Sequence, residues 1–161
     1  MTTAILTTLA INDPAPAFDR PTDGDRQVKL SDLSGKKVVL YFYPKDSTPG
    51  CTTEGKDFAA LHDQFTAVNT VVLGASKDSV KRHDNFKTKY EFPFTLLSDE
   101  DGSLCEAYGV WVLKKNYGRE YMGIERATFL IDENGKIAEI WRKVRVKDHA
   151  EKVLAVAQAL S

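Results

Sequence analysis

Thr48, Pro49, Gly50 and Cys51 close the polar loop that follows the apolar run 37–43. Threonine is favoured at a helix N-cap and proline at the first helical position, so a helix is expected to start here with Cys51 as its third residue. At that point the free N–H groups and the positive end of the helix dipole favour an anion, and the thiolate is the nucleophilic form of cysteine. A structural cysteine more usually sits inside an apolar stripe. Cys105, between Leu104 and Tyr108, sits in such a stripe on a short helix and reads as a small buried hydrophobe. Two cysteines are too few for a disulfide framework, so each thiol is read singly.

The elements that must hold Cys51 follow from periodicity. Residues 37–43, KVVLYFY, are a continuous apolar run of strand length, the pattern of a strand covered on both faces. Phe58, Leu61, Phe65 and Val68, spaced three, four and three, predict a helical stripe downstream of the cysteine. Residues 70–76 and 94–98 predict two more strands, with a polar helix at 78–90 between them and a short helix over 101–110 closed by Gly109. Right-handed crossovers in such a series give a parallel sheet covered by helices. The apolar runs 126–132 and 136–144 flank Glu133-Asn134-Gly135, a hairpin signal, and a last helix over 148–160 begins with Asp148 as its cap. Alternation in the first of these runs puts Arg126 on the strand face of Thr128 and Leu130, where a surface edge position is the plain alternative. The Pro-, Asp- and Gly-rich stretch 10–36 predicts irregular backbone and short edge elements. The fold class expected is α/β, a mixed sheet covered by helices, as one domain over residues 1–161.

Composition removes several function classes. A formal net charge of -1 and a pI near 6.3 leave no basic footprint for nucleic acid. No run approaches the ~18 apolar residues of a membrane span. The opening, MTTAILTTLAINDPAPAF, lacks a Lys/Arg-rich start and its apolar residues are broken by threonines, so a cytoplasmic location is expected. The cysteines and the three scattered histidines show no metal-ligand spacing, and no glycine-rich phosphate loop appears, so neither metal nor cofactor is expected. A cysteine hydrolase would need a histidine beside the thiol. His62 stands eleven residues beyond Cys51, roughly three helical turns away, and no nucleophile elbow is present. His62, His83 and His149 are expected to face solvent on helices.

The pattern Pro44-x-x-x-Thr48-x-x-Cys51, read within VVLYFYPKDSTPGCTTE, resembles the peroxiredoxins, thiol-dependent peroxidases of thioredoxin-like fold. Within them it resembles the subgroup called bacterioferritin comigratory protein or peroxiredoxin Q. DPAPAF, SDLSGK, FPFTLLSDEDG, YGVW and RATFLIDENGKI look like that subgroup's landmarks in the same order, so the resemblance covers nearly the whole chain. It implies that Cys51 is the peroxidatic cysteine, attacking hydrogen peroxide or an organic hydroperoxide and becoming a sulfenic acid. Thr48 would orient the peroxide, the Gly50 and Cys51 N–H groups would donate to it, Pro44 would cover the site, and Arg126 would favour the thiolate and polarise the peroxide. Glu54 would orient Arg126.

The chain departs from its relatives at Lys56, where many members of the subgroup carry a resolving cysteine. The helix at 78–90 holds no cysteine either, which leaves Cys105 as the possible resolving residue. A cysteine at this point also occurs in relatives that resolve elsewhere. A one-cysteine cycle is therefore expected, in which glutathione or a thioredoxin- or glutaredoxin-like protein reduces the sulfenic acid, with Gly55 easing local unwinding of the helix. Relatives of this subgroup imply a monomer. A peroxide sensor or thiol-switch protein would use the same chemistry at Cys51, and turnover with a reductant separates the two.

Overall fold

The computed structural model describes residues 9–160, and the opening residues 1–8 lie outside it. The breaker-rich stretch near the N-terminus holds two short antiparallel strands, β1 (Asp19–Thr22) and β2 (Arg26–Lys29), joined by a 3₁₀ turn. The apolar runs form β3 (Lys37–Phe42), buried at every residue, and β4 (Thr70–Ser76). Between them the expected helical stripe is divided into α1 (Pro49–Ala60) and α2 (His62–Ala67) at Leu61, whose ψ of 3° leaves the helical range. Phe58 and Phe65 remain on one buried face across the break.

α3 (Val80–Tyr90) begins after Ser79, whose side chain accepts the Arg82 N–H, so Asp78 is released for another use. β5 (Thr95–Ser98) and α4 (Ser103–Ala107) follow, and then a hairpin the periodicity did not signal: β6 (Trp111–Asn116) and β7 (Arg119–Ile124). Charged residues interrupt its alternation. Its turn, Tyr117-Gly118, has φ of 51° and 77°, the paired positive values of a tight hairpin turn. β8 (Ala127–Ile131) and β9 (Ile137–Trp141) pair antiparallel across the Asn-Gly turn as expected. α5 (His149–Ala159) closes the fold; Asp148 stands at its N-cap position but has φ of 60° and makes no capping bond.

Seven strands form one mixed sheet in the order β2-β1-β5-β4-β3-β8-β9, with β3, β4 and β5 parallel and β8 antiparallel to β3. Period-two alternation divides the core in two. Val38, Leu40, Phe42, Phe129 and Ile131 face one side, where α4 packs with Cys105 and Tyr108. Val39, Tyr41, Tyr43 and Leu130 face the other, against Cys51 and Phe58 of α1, Phe65 of α2, Phe86 of α3 and Val153 of α5.

The histidines do not face solvent as expected. His83 and His149 are buried and His62 is half-buried. His149 packs edge-on against Phe58 and Trp141 with its Nε2 2.8 Å from Thr128 Oγ1, and His83 is held by hydrogen bonds at both ring nitrogens.

Candidate active site

β3 ends at the sheet centre, and the chain leaves it through an irregular loop, 43–48, that leads into α1. Tyr43 N–H still donates to Ala75 O at 3.1 Å; Pro44 beyond it is exposed. Thr48 is the N-cap residue of α1 by position and Pro49 the first helical residue, as the sequence predicts. The Thr48 hydroxyl does not cap the helix, however, and donates back to Lys45 O at 2.9 Å. The helical ladder opens with Thr52 N–H donating to Thr48 O at 2.9 Å. The N–H groups of Gly50 and Cys51 precede it, in the turn where helix donors have no intrahelical partner. Cys51 is 2% exposed, and its thiol is buried at the head of the helix in the cluster that covers one face of the sheet.

Arg126 reaches this thiol from the N-terminal end of β8. Its Nη1 donates to Glu54 Oε1 at 2.6 Å and its Nη2 lies 3.5 Å from Cys51 Sγ, so one planar guanidinium bridges two residues a turn apart on α1. The strand alternation predicted from the sequence holds, since Leu130 belongs to the cluster that contains Cys51 while Phe129 and Ile131 belong to the cluster on the other face. The surface-edge alternative fails because β8 lies between β3 and β9. Gly50 leaves room for this approach: a Cβ there would stand 3.2 Å from Arg126 Nη2.

Electrostatics follow from burial. Burial works against the charge of Arg126, yet the Glu54 carboxylate and Cys51 hold the guanidinium above its usual value. Glu54 has a 1% exposed side chain, and its second oxygen, Oε2, has no hydrogen-bond partner among the described residues. Burial lifts its carboxyl to about 7, outweighing Arg126, which lowers it. The unpredicted β6–β7 hairpin brings a second cation into the field of the site. Lys114 is held below its usual value by burial first and by Arg126 next, while Cys51 and Glu125 act the other way. A lysine three residues before the Tyr117-Gly118 turn, in a hairpin without an apolar period, gave no signal in the sequence.

Cys105 is not brought to Cys51. It is 0% exposed and belongs to the core cluster on the opposite face of the sheet. Its N–H donates to Asp99 Oδ2 at 2.8 Å, and burial, followed by Asp99, pushes its thiol up, away from the thiolate. Gly55 also differs from expectation. A Cβ on it would lie 2.6 Å from Phe92 Cζ, so close packing of a ring on the helix backbone, rather than ease of unwinding, accounts for glycine there.

Residues 11–140 match the model of the AhpC/TSA family. Peroxiredoxin Bcp of Bacillus subtilis is 51% identical over 154 residues, covering 96% of this chain and 98% of that protein. Peroxiredoxin Q of Xylella fastidiosa, in a solved mutant structure, superposes with a TM-score of 0.89 at 44% identity over 94% of this chain and 96% of the other. The bacterioferritin comigratory protein of Xanthomonas campestris, studied for its alkyl peroxide reduction, gives a TM-score of 0.85 at 48% identity over 88% and 90%. The sheet and its helices are those of a thioredoxin-like peroxiredoxin, and the chain belongs to the AhpC/TSA family, among its Bcp-type peroxiredoxins.

Proposed function

We propose that Cys51 is the peroxidatic cysteine of this thiol-dependent peroxidase, and that its sulfenic acid is reduced by a thiol from outside the chain. The observation that carries the reading is the Arg126 guanidinium, with one nitrogen on Cys51 Sγ and the other on Glu54, at the head of α1. A fixed cation and the free N–H groups of a helix start favour the thiolate and the negative charge that develops on the leaving oxygen. The Cys51 thiolate attacks the distal oxygen of a hydroperoxide. The S–O bond forms, the O–O bond breaks, and the departing alkoxide or hydroxide takes a proton to become an alcohol or water. Reduction then consumes two thiols: the first displaces water from the sulfenic acid to give a mixed disulfide, and the second releases Cys51 and a disulfide product.

Pro44 and Thr48 complete the reading, Pro44 covering the site against water and the Thr48 hydroxyl turning from Lys45 O to the bound peroxide. Hydrogen peroxide and alkyl hydroperoxides are the substrates, the second supported by the Xanthomonas campestris relative. Thioredoxin, glutaredoxin or glutathione is the reductant, since Cys105 lies across the sheet from Cys51. The reading also takes the chain as one domain over residues 1–161, monomeric and cytoplasmic, working without metal or cofactor.

Intact mass after one equivalent of hydrogen peroxide tests the cycle. Wild type gains one oxygen and Cys51→Ser gains none. Loss of two hydrogens in a monomeric species would mean that Cys51 and Cys105 join, and would overturn the one-cysteine cycle.

A further inference from the structure

The loop 43–48 sets where α1 begins, yet it lies outside the sheet ladder, so bonds from elsewhere must fix it. Asp46 supplies them. It is 3% exposed; its Oδ1 accepts the Tyr43 hydroxyl at 2.5 Å, its Oδ2 lies 2.6 Å from His83 Nδ1, and its N–H donates to Asp78 Oδ2 at 2.8 Å. His83 is 0% exposed, with Nε2 2.8 Å from the Leu97 carbonyl. Asp78 in turn accepts from the Ser76 hydroxyl at 2.6 Å and from Arg82 Nε at 3.0 Å. One loop residue thereby ties the end of β3 to the loop before α3, to α3 itself and to β5. The next residue, Ser47, has φ of 66°, an uncommon conformation for a non-glycine residue that the surroundings must hold.

Asp46, Asp78 and His83 carry metal-ligand atoms within 4.8 Å of one another. Both ring nitrogens of His83 and both carboxylates are already engaged, so the trio is a hydrogen-bond network. The ring faces two acceptors, a carboxylate and a carbonyl. A neutral imidazole has one N–H and satisfies one of them, whereas the imidazolium satisfies both.

We propose that the Asp46–His83 pair is the positioning lock of the peroxide-reactive site: by holding the loop 43–48 it sets the first turn of α1 and hence Cys51 Sγ against Arg126. The proposal rests on Cys51 as the peroxidatic residue. The groups facing His83 are Tyr43 at the end of β3, Asp46 in the loop and Asp78 ahead of α3, with Arg82 of α3 pairing Asp78. Burial lowers the His83 pKa, but the Asp46 hydrogen bond and charge, with Leu97 O and Asp78, leave it raised. The lock is therefore complete below the unfolded histidine value of ~6.5 and loosens as pH rises through the folded value.

The test uses the full chain and the variants His83→Gln, Asp46→Asn and Tyr43→Phe. It reads hydrogen-exchange protection of the bonded amides of Tyr43, Asp46 and Thr52 and, separately, the rate of Cys51 oxidation by hydrogen peroxide against pH. His83→Gln and Asp46→Asn are expected to lose protection there by about tenfold or more, with the protection of β4 unchanged, and to slow oxidation by a similar factor. Wild-type protection at these three amides falls on the alkaline side, and His83→Gln lacks that fall. Tyr43→Phe, which removes one hydroxyl, moves both readouts the same way by less. Unchanged protection at these three amides in the folded variants overturns the lock. If His83→Gln does not fold, a wild-type protection that ignores pH and an unaltered Tyr43→Phe overturn it equally. Normal exchange behaviour with no oxidation at Cys51 would instead overturn the peroxidase reading and leave the lock standing.

Discussion

Arg126 has to serve two partners at once. Its planar fork presents Nη1 to Glu54 and Nη2 to Cys51, a geometry that a single ammonium on a flexible stem does not reproduce. Charge alone is therefore a weaker device here than charge at a fixed angle. Arg126→Lys keeps the positive charge and should slow Cys51 oxidation by about a hundredfold, the range seen when one preorganised donor is removed from a developing anion. Trapping of the sulfenic acid with a dimedone probe measures it, and a rate within threefold of wild type would show that one charge anywhere in the pocket suffices. Cys51 and Arg126 were both legible as residues in the sequence, one from the helix-start pattern and one from strand alternation with the family resemblance. The bridge to Glu54 was suggested by the resemblance, but the unpartnered Oε2 needed coordinates, because burial of a carboxylate depends on what packs over it.

At the scale of the element, α1 must lie close enough to the Phe92 and Phe94 rings to bury its first turns. Those rings stack with centroids 5.3 Å apart, and Phe92 presses on the helix backbone at Gly55. Gly55→Ala would normally gain helix propensity, but the added methyl meets a ring at 2.6 Å. Overpacking of that kind costs about 1–3 kcal/mol. We expect Gly55→Ala to melt below wild type and Gly55→Ala with Phe92→Leu to recover most of the loss; a variant that melts higher would return Gly55 to the role of a flexible hinge. The propensity argument and the packing argument differ in sign, and only the contact across the fold chooses between them. The β6–β7 hairpin went unread for the opposite reason: its strands are half polar because they stand outside the main sheet, so no apolar period marks them.

Two buried ionisable groups give the whole molecule opposed pH dependences. Glu54, at about 7 against an ordinary 4.5, binds its proton more tightly when folded, so its contribution is present below about 4.5 and is lost as pH rises through 7. His149 is lowered to about 4 from 6.5 by burial first, then by Lys152 and Arg126, so its contribution is present above 6.5 and is lost as pH falls through 4. Between these limits the slopes oppose. Wild-type stability should be nearly flat from pH 4.5 to 6.5. Glu54→Gln should lose stability on acidification across that window and His149→Gln should gain it, each by on the order of 2 kcal/mol. Urea unfolding at the two ends of the window checks this, and parallel slopes in the two variants would contradict the assignment.

The order of the core strands β3, β4, β5, β8 and β9 with the helices between them, the helix start at Thr48-Pro49 that puts Cys51 in the first turn, and the strand face of Arg126 were determined by the sequence, because each depends on local geometry: period two, period 3.6, and the fixed φ of proline. The separation of Cys105 from Cys51 was decided by the tertiary structure. Both thiols sit in apolar surroundings, and only the pairing of β3, β4 and β8 into one sheet puts them on opposite faces. The same holds for His83 and Asp46, thirty-seven positions apart in the chain and 2.6 Å apart in the fold. A buried hydrogen bond across that distance leaves no period behind, since it is specified by two side chains and the packing that excludes water from both.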